Sequence, residues 1–278
     1  MNQRERAAHF RRLHESRPLI LPNAWDAASA RVIEQAGAPA IATTSAAVSW
    51  TLGRGDGQQV TREEMLQVIR AIARTVEVPV SADIEGGYGT GSPQDVAETV
   101  REVVAAGVAG INLEDTPGVN GETLMAPEVH AERIRAARQA AEGAGGDLVV
   151  NARIDVYLFQ VGAPETRFDE TVRRARIYRE AGADCLFVPG VLDAETIGAL
   201  VKAIDGPLNV MAKPGAPGMQ ELGRLGVARV SLGPALALAA LAATRQAARE
   251  LLEHGTYQAL ERGLSFGEVN GLFNGREG

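Results

Sequence analysis

Eight short apolar runs alternate with longer helical stretches along this 278-residue sequence, and the alternation predicts a parallel α/β fold closed as a (β/α)8 TIM barrel. Two further observations support that class. The runs are nearly continuous in Val, Ile, Leu and Ala rather than strictly alternating, as strands covered on both faces are. No Gly-rich dinucleotide fingerprint follows the first run, where Leu21-Pro22-Asn23-Ala24-Trp25-Asp26 stands instead, so an open doubly wound sheet fits less well.

The candidate strands are residues 19–25, 40–45, 78–85, 110–115, 148–155, 185–190, 208–213 and 229–233. The stretches between them carry helix signals. Thr61 with Glu64 is a capping box, and Ser92 before Pro93, with Asp95 beyond, reads as an N-cap with proline in the first helical position. Gly37, Gly107, Gly182 and Gly226 each close an apolar or alanine-rich helix a few residues before a strand, the place where a left-handed residue ends a helix. The chain reads as a single domain over 1–278, with the barrel core over about 19–234. Additional helical segments flank it at the amino terminus and over 235–278.

Composition narrows the function classes. With 45% hydrophobic and 23% charged residues the chain has ordinary globular proportions. A net charge of −7 has the wrong sign for nucleic acid or an anionic membrane surface, although a small anionic substrate can still meet a locally positive site. The single cysteine, Cys185, excludes a disulfide framework and a multi-thiolate zinc site, and the four histidines show no ligand spacing. The most apolar stretch, residues 234–243, falls far short of the roughly 20 residues that span a bilayer. These observations lead to the expectation of a soluble cytoplasmic protein.

In a parallel barrel the chemistry lies at the carboxyl ends of the strands. There the third run places Ser81, Asp83 and Glu85 on one face, the fourth Asn112 and Glu114, and the fifth Asn151, Arg153 and Asp155, since side chains two apart share a face. Buried carboxylates need neutralising. Arg153 can pair with one, and with only Lys202 and Lys213 in the chain a surplus of negative charge remains. Hard oxygen donors without histidine or thiolate point to Mg²⁺, or Mn²⁺, held by few protein contacts and several waters. The loop from Gly86 to Gly91 lets backbone approach a ligand closely, and the polar loop over 116–126 reads as a lid. Thr43, Thr44 and Ser45 offer hydroxyls and N–H groups to a carboxylate. Lys213, at the end of the seventh run, is the alternative of a metal-free Schiff base.

Taken in order, Leu52-Gly53-Arg54-Gly55-Asp56, Asp83-Ile84-Glu85-Gly86-Gly87-Tyr88-Gly89, Leu113-Glu114-Asp115 and Asn151-Ala152-Arg153-Ile154-Asp155 resemble the phosphoenolpyruvate mutase/isocitrate lyase superfamily, over residues 19–234. The resemblance implies an α/β barrel that binds Mg²⁺ and a 2-oxo or 2-hydroxy acid and makes or breaks a C–C or P–C bond next to an enolate. It implies Asp83 as nearest metal ligand, with Glu85 and Glu114 acting through water, and Asp56 at the mouth. Arg153 would meet the substrate carboxylate or developing oxyanion, and Ser45 and Ala46 would give backbone N–H groups. Thr44, Glu114 and Asn209 complete the expected substrate contacts, and Tyr88 and Asn120 the catalytic set.

The departures bear on the reaction. Where isocitrate and methylisocitrate lyases carry Lys-Lys-Cys-Gly-His, this loop reads Thr116-Pro117-Gly118-Val119-Asn120-Gly121, and the mutases' lysine position holds Gly118. The leading expectation is therefore a Mg²⁺-dependent C–C lyase, a decarboxylase or retro-aldol enzyme of a small dicarboxylic acid. The alternatives are a P–C enzyme (phosphonopyruvate hydrolase or phosphoenolpyruvate phosphonomutase) and a catalytically inactive homologue that binds metal and oxo acid. The resemblance also implies a homotetramer, a dimer of dimers, with the helix from Pro234 exchanged between subunits; burial of that helix within its own subunit is the alternative.

Overall fold

The structure is a computed structural model that describes residues 1–15, 18–117 and 124–274. Nine parallel strands form one sheet: β1 (Leu19–Leu21), β2 (Asn23–Ala24), β3 (Ile41–Thr43), β4 (Val80–Asp83), β5 (Gly110–Glu114), β6 (Val149–Arg153), β7 (Cys185–Val188), β8 (Leu208–Met211) and β9 (Arg229–Ser231). Their order is β1-β9-β8-β7-β6-β5-β4-β3-β2. β1 and β2 are two pieces of the first expected run, interrupted at Pro22, which has no N–H for the ladder. β1 pairs with β9 and β2 with β3, so one broken strand closes an eight-stranded α/β barrel.

Each expected strand is present, and most end a residue or two early. At β3 the reason is a helix that the small residues Ser45, Ala46 and Ala47 conceal in the sequence. At β4 the chain leaves the sheet through Glu85 and Tyr88, whose φ values are +48° and +64°. The helices are α1 (Gln3–Leu13), α2 (Ala27–Gln35), α3 (Ser45–Thr51), α4 (Arg62–Thr75), α5 (Pro93–Ala105), α6 (Pro127–Gly143), α7 (Arg167–Glu180), α8 (Ala194–Ala203), α9 (Met219–Leu225), α10 (Ala235–His254) and α11 (Phe266–Gly271). The Thr61–Glu64 capping box opens α4 and Ser92 caps α5, its Oγ accepting the Asp95 N–H at 3.2 Å. Gly37, Gly107, Gly182 and Gly226 all have positive φ, and Gly226 is itself the left-handed cap of α9.

Helix α1 closes the amino-terminal end of the barrel. Phe10 is fully buried against Leu19, Leu21, Ala40, Ala42, Ala109 and Val149. A Cβ at Gly110 would stand 2.8 Å from the Phe10 ring, so glycine is what admits the plug. His14 packs edge-on to Phe10, with ring centroids 4.9 Å apart, and its Nδ1 lies 2.9 Å from the Phe10 carbonyl. Arg11 bonds Asp147 at 2.7 Å and ties α1 to the wall.

Helix α10 leaves the barrel with only Ala237 buried, while Leu238, Leu241, Leu251 and Leu252 are exposed. Those leucines are therefore left largely uncovered by the described residues of the chain. The segment beyond it returns to α2, where Arg31 Nε donates to the Leu272 carbonyl at 2.9 Å. Among the described residues no helix is long and apolar enough to cross a membrane.

Burial lowers the His14 pKa from 6.5 to about 4. Between those values the unfolded chain binds more protons than the folded one, so this contribution is complete above pH 6.5 and is lost as pH falls toward 4. The wild type should lose about 2 kcal/mol more stability between pH 7 and pH 5 than His14→Gln, measured by urea denaturation.

Candidate active site

The acidic ends of β4 and β5 and the basic end of β6 are adjacent in the sheet, and the register sets Glu114 opposite Arg153. Asp83 ends β4. Its N–H donates to Thr43 Oγ1 at 2.8 Å, while its carboxylate accepts the Ser45 N–H at 3.2 Å and the Glu85 N–H at 3.3 Å. Glu114 ends β5 and its carboxylate meets Arg153 Nη1 at 2.6 Å; Arg153 Nε meets Asp155 at 2.6 Å. Asp155 is fully buried and also accepts the Thr116 hydroxyl at 2.6 Å. One guanidinium thus holds two carboxylates.

Glu85 reaches the same place by another route. The alternation of side chains ends at Ile84, and the left-handed turn at Glu85 swings its carboxylate toward Asp83 and Asp56. There it accepts the Gln58 N–H at 2.6 Å and the Tyr88 hydroxyl at 3.0 Å. Tyr88 is fixed in turn, its N–H donating to the Gln58 side-chain carbonyl at 2.9 Å. Asp56 sits at the solvent edge, with its carboxylate accepting the Ser45 hydroxyl at 3.4 Å.

The electrostatics follow from this crowding. Burial, then the charges of Asp83 and Asp56, push the Glu85 pKa up to about 7. Burial and Asp83 raise that of Asp56. Burial raises Glu114 well above the carboxylate range despite the opposing pull of Arg153. Among the described residues no Lys, Arg or His stands within ion-pair distance of Asp56, Asp83 or Glu85. This is a donor set made only of oxygens, crowded with like charge and short of cations, which suits a hard divalent ion. Among the described residues no three acidic, histidine or cysteine side chains converge closely enough to ligate an ion unaided. The fit is therefore to an ion that keeps most of its water and takes one or two carboxylates directly, as Mg²⁺ does.

The other expected residues are placed variously. Thr44 is buried and its N–H donates to the Ala24 carbonyl at 3.1 Å. The Ser45 N–H is already engaged by Asp83, and Ala46 lies in the first turn of α3. Asn209 is fully buried in the barrel interior, where its amide group and the Ser231 hydroxyl exchange hydrogen bonds of 3.1 and 3.2 Å. Asn120 lies outside the described residues. Lys213 is exposed and lacks the desolvation a Schiff-base lysine needs. Cys185 is buried in β7, its thiol pushed up to about 12 by burial.

Several supporting residues escape sequence reading. Gln58 holds both Glu85 and Tyr88. Arg133 on α6 is fully buried; its Nη1 donates to the Glu114 carbonyl at 3.2 Å and its Nη2 to the Gly86 carbonyl. Asp115 binds Arg174 at 2.9 Å, accepts the Tyr178 hydroxyl at 2.8 Å, and receives the Asp155 N–H at 3.0 Å. The one available signal is Arg133 itself, a cation on the helix face that also carries the buried His130, Ile134 and Ala137.

A family model described as phosphoenolpyruvate phosphomutase matches residues 10–252. The chain belongs to that family. It is 36% identical over 256 residues to an uncharacterised protein of Mycobacterium tuberculosis, covering 92% of each chain. It is 31% identical to an oxaloacetate decarboxylase of Bradyrhizobium sp., over 89% of this chain and 82% of that one. The solved structure of an oxaloacetate acetylhydrolase in complex with the product oxalate superposes with a TM-score of 0.85 at 27% identity, over 96% of this chain and 93% of that one. The family's relatives are lyases and mutases of the isocitrate lyase/PEP mutase superfamily, and this protein is an enzyme of that superfamily.

Removing the guanidinium should leave Glu114 and Asp155 buried without a cation. Arg153→Met should lose about 3–5 kcal/mol of stability at pH 8. The loss should be smaller at pH 5 than at pH 8, because burial raises the Glu114 pKa and falling pH favours the uncharged carboxyl; urea denaturation at the two pH values measures both.

Proposed function

We propose that this enzyme is a Mg²⁺-dependent lyase, able to use Mn²⁺, that cleaves a carbon–carbon bond in a small 2-oxo or 2-hydroxy dicarboxylic acid through an enolate, by decarboxylation or a retro-aldol step. The observation that carries the reading is the unpaired trio Asp56, Asp83 and Glu85 beside a guanidinium pinned from both sides. Asp83 would hold the cation directly, with Glu85 and Glu114 acting through water. Bound there, the cation supplies Lewis acidity to the oxygen next to the reacting carbon.

The chain's own residues do the rest. Arg153 is held by Glu114 and Asp155, so its orientation is set before substrate arrives; Nη2 is left over from those two pairs for a carboxylate or developing oxyanion. Tyr88, whose pKa is raised by burial and by Glu85, stays protonated and keeps the Glu85 carboxylate turned inward. Thr44, Ser45 and Ala46 form the wall against which a substrate carboxylate would lie, and Asp56 guards the solvent side. Asn120 is kept in the proposed catalytic set. An oxaloacetate decarboxylase and an oxaloacetate acetylhydrolase among the relatives support a dicarboxylic oxo acid as substrate.

The same reading extends to assembly and location. The exposed leucines of α10 suit a second copy of the chain and support a homotetramer, a dimer of dimers. The net charge of −7 speaks against a nucleic-acid or anionic-membrane partner, and we place the enzyme in the cytoplasm, where a small anionic substrate meets a locally positive site.

Pyruvate release should be measured from oxaloacetate and from related 2-oxo and 2-hydroxy diacids. Turnover of at least one should stop with EDTA and return with Mg²⁺, and Asp83→Asn should lower kcat/KM by about a hundredfold or more. Phosphonopyruvate belongs in the same panel, and turnover of that compound alone would replace C–C cleavage by P–C cleavage. Turnover indifferent to EDTA would defeat the metal reading. Light scattering should give the mass of four chains, and Leu238→Glu with Leu241→Glu should reduce it.

A further inference from the structure

Arg229, on β9, is one of the largest fully buried side chains in the protein and stands in the middle of the barrel. Its Nη2 donates to Ser81 Oγ and to Asn112 Oδ1, both at 3.3 Å. Ser81 precedes Asp83 by two residues on β4, and Asn112 precedes Glu114 by two on β5. The guanidinium therefore lies one layer of side chains beneath the carboxylates, about 6–7 Å lower along the strands. Below it the Phe10 ring, 5.6 Å from the guanidinium carbon, closes the floor.

This cation is poorly satisfied. Among the described residues its Nε and Nη1 have no hydrogen-bond partner, and no carboxylate stands within ion-pair distance. Asn151 Oδ1, in the same layer, is also unpartnered, although its Nδ2 bonds Asn112 at 2.7 Å. Burial lowers the Arg229 pKa to about 10, so the group remains charged at neutral pH. An unpaired buried charge is expensive, and an apolar side chain of similar length would fill the layer without that penalty. What a methionine could not supply is a fixed positive field under the mouth.

We infer that Arg229 is a positioning residue whose unpaired charge, acting from beneath the mouth, loosens the hold on a divalent cation and strengthens the hold on an anionic substrate. The inference rests on the metal-dependent reading of the site. Charge acts oppositely on the two ligands. It repels a cation resting on Asp83 and attracts the negative charge that gathers when a diacid or its enolate binds above. Across that separation, with water in the mouth screening the field, each effect is on the order of tenfold. A side chain that merely filled space would move both affinities the same way when removed.

The test is calorimetry on the full chain at pH 8, first with Mn²⁺ alone and then with oxalate added to the Mn²⁺-loaded protein. Arg229→Met and Arg229→Gln both discharge the position; the second keeps a polar partner for Ser81 and Asn112 and carries the test if the first fails to fold. Both should bind Mn²⁺ about tenfold tighter and oxalate about tenfold weaker than wild type. Arg229→Lys, which keeps the charge, should stay near wild type on both. Shifts in the same direction, or values within twofold of wild type in the discharged variants, would overturn the inference and leave the metal reading intact. A wild type that binds no Mn²⁺ would instead overturn the metal reading, and this inference with it.

Discussion

Like charge held close together is the constraint around which the carboxyl end of this barrel is organised. Asp56, Asp83, Glu85 and Glu114 crowd one mouth, and the cation paired there, Arg153, is shared between Glu114 and Asp155. Everything else near the mouth limits the cost of that arrangement. Backbone N–H groups of Ser45, Gln58 and Glu85, and the hydroxyl of Tyr88, donate to the carboxylates and none accepts from them. The raised pKa of Glu85 measures what is left unrelieved. Oxygen donors crowded in this way cost stability, as groups at functional sites do.

The two ends of the barrel divide the labour. The amino-terminal end is closed with a buried phenylalanine and a neutral histidine, materials that favour folding. The carboxyl end spends part of that stability on exposed and half-desolvated charge, and it is there that the loops with left-handed residues, Gln58, Glu85 and Tyr88, are concentrated. A rigid parallel sheet between them lets the strained end be held in place by the comfortable one.

Much of this was legible in the sequence, for identifiable reasons. Strands covered on both faces leave continuous apolar runs, and capping boxes and terminal glycines mark helix ends by local chemistry, so the barrel could be read off directly. The period of two along a strand also showed which face Asp83, Glu114 and Arg153 share. That period does not give depth, so it could not tell that Asn209, named by the resemblance, bonds Ser231 inside the barrel. It also ends with the sheet, so Glu85 arrived by a turn that alternation does not describe. Gln58 and Arg174 could not be found at all, since each acts on residues far away in the chain, and Arg133 left only the signal of a cation on an apolar helix face. The exposure of α10 was likewise invisible, because an alanine- and leucine-rich helix has the same pattern whichever chain covers it.

Arg133 bears on how such an enzyme could change. It stands on an outer helix, yet its guanidinium fastens the backbone of Glu114 and of Gly86, the two segments that carry neighbouring acidic groups into the mouth. A substitution that shifts α6 by a fraction of a residue would tilt both segments together while every acidic side chain stayed in the sequence. Descendants of one ancestral barrel could thus drift in substrate preference through their outer shell, and a comparison confined to the residues lining the mouth would score them as identical.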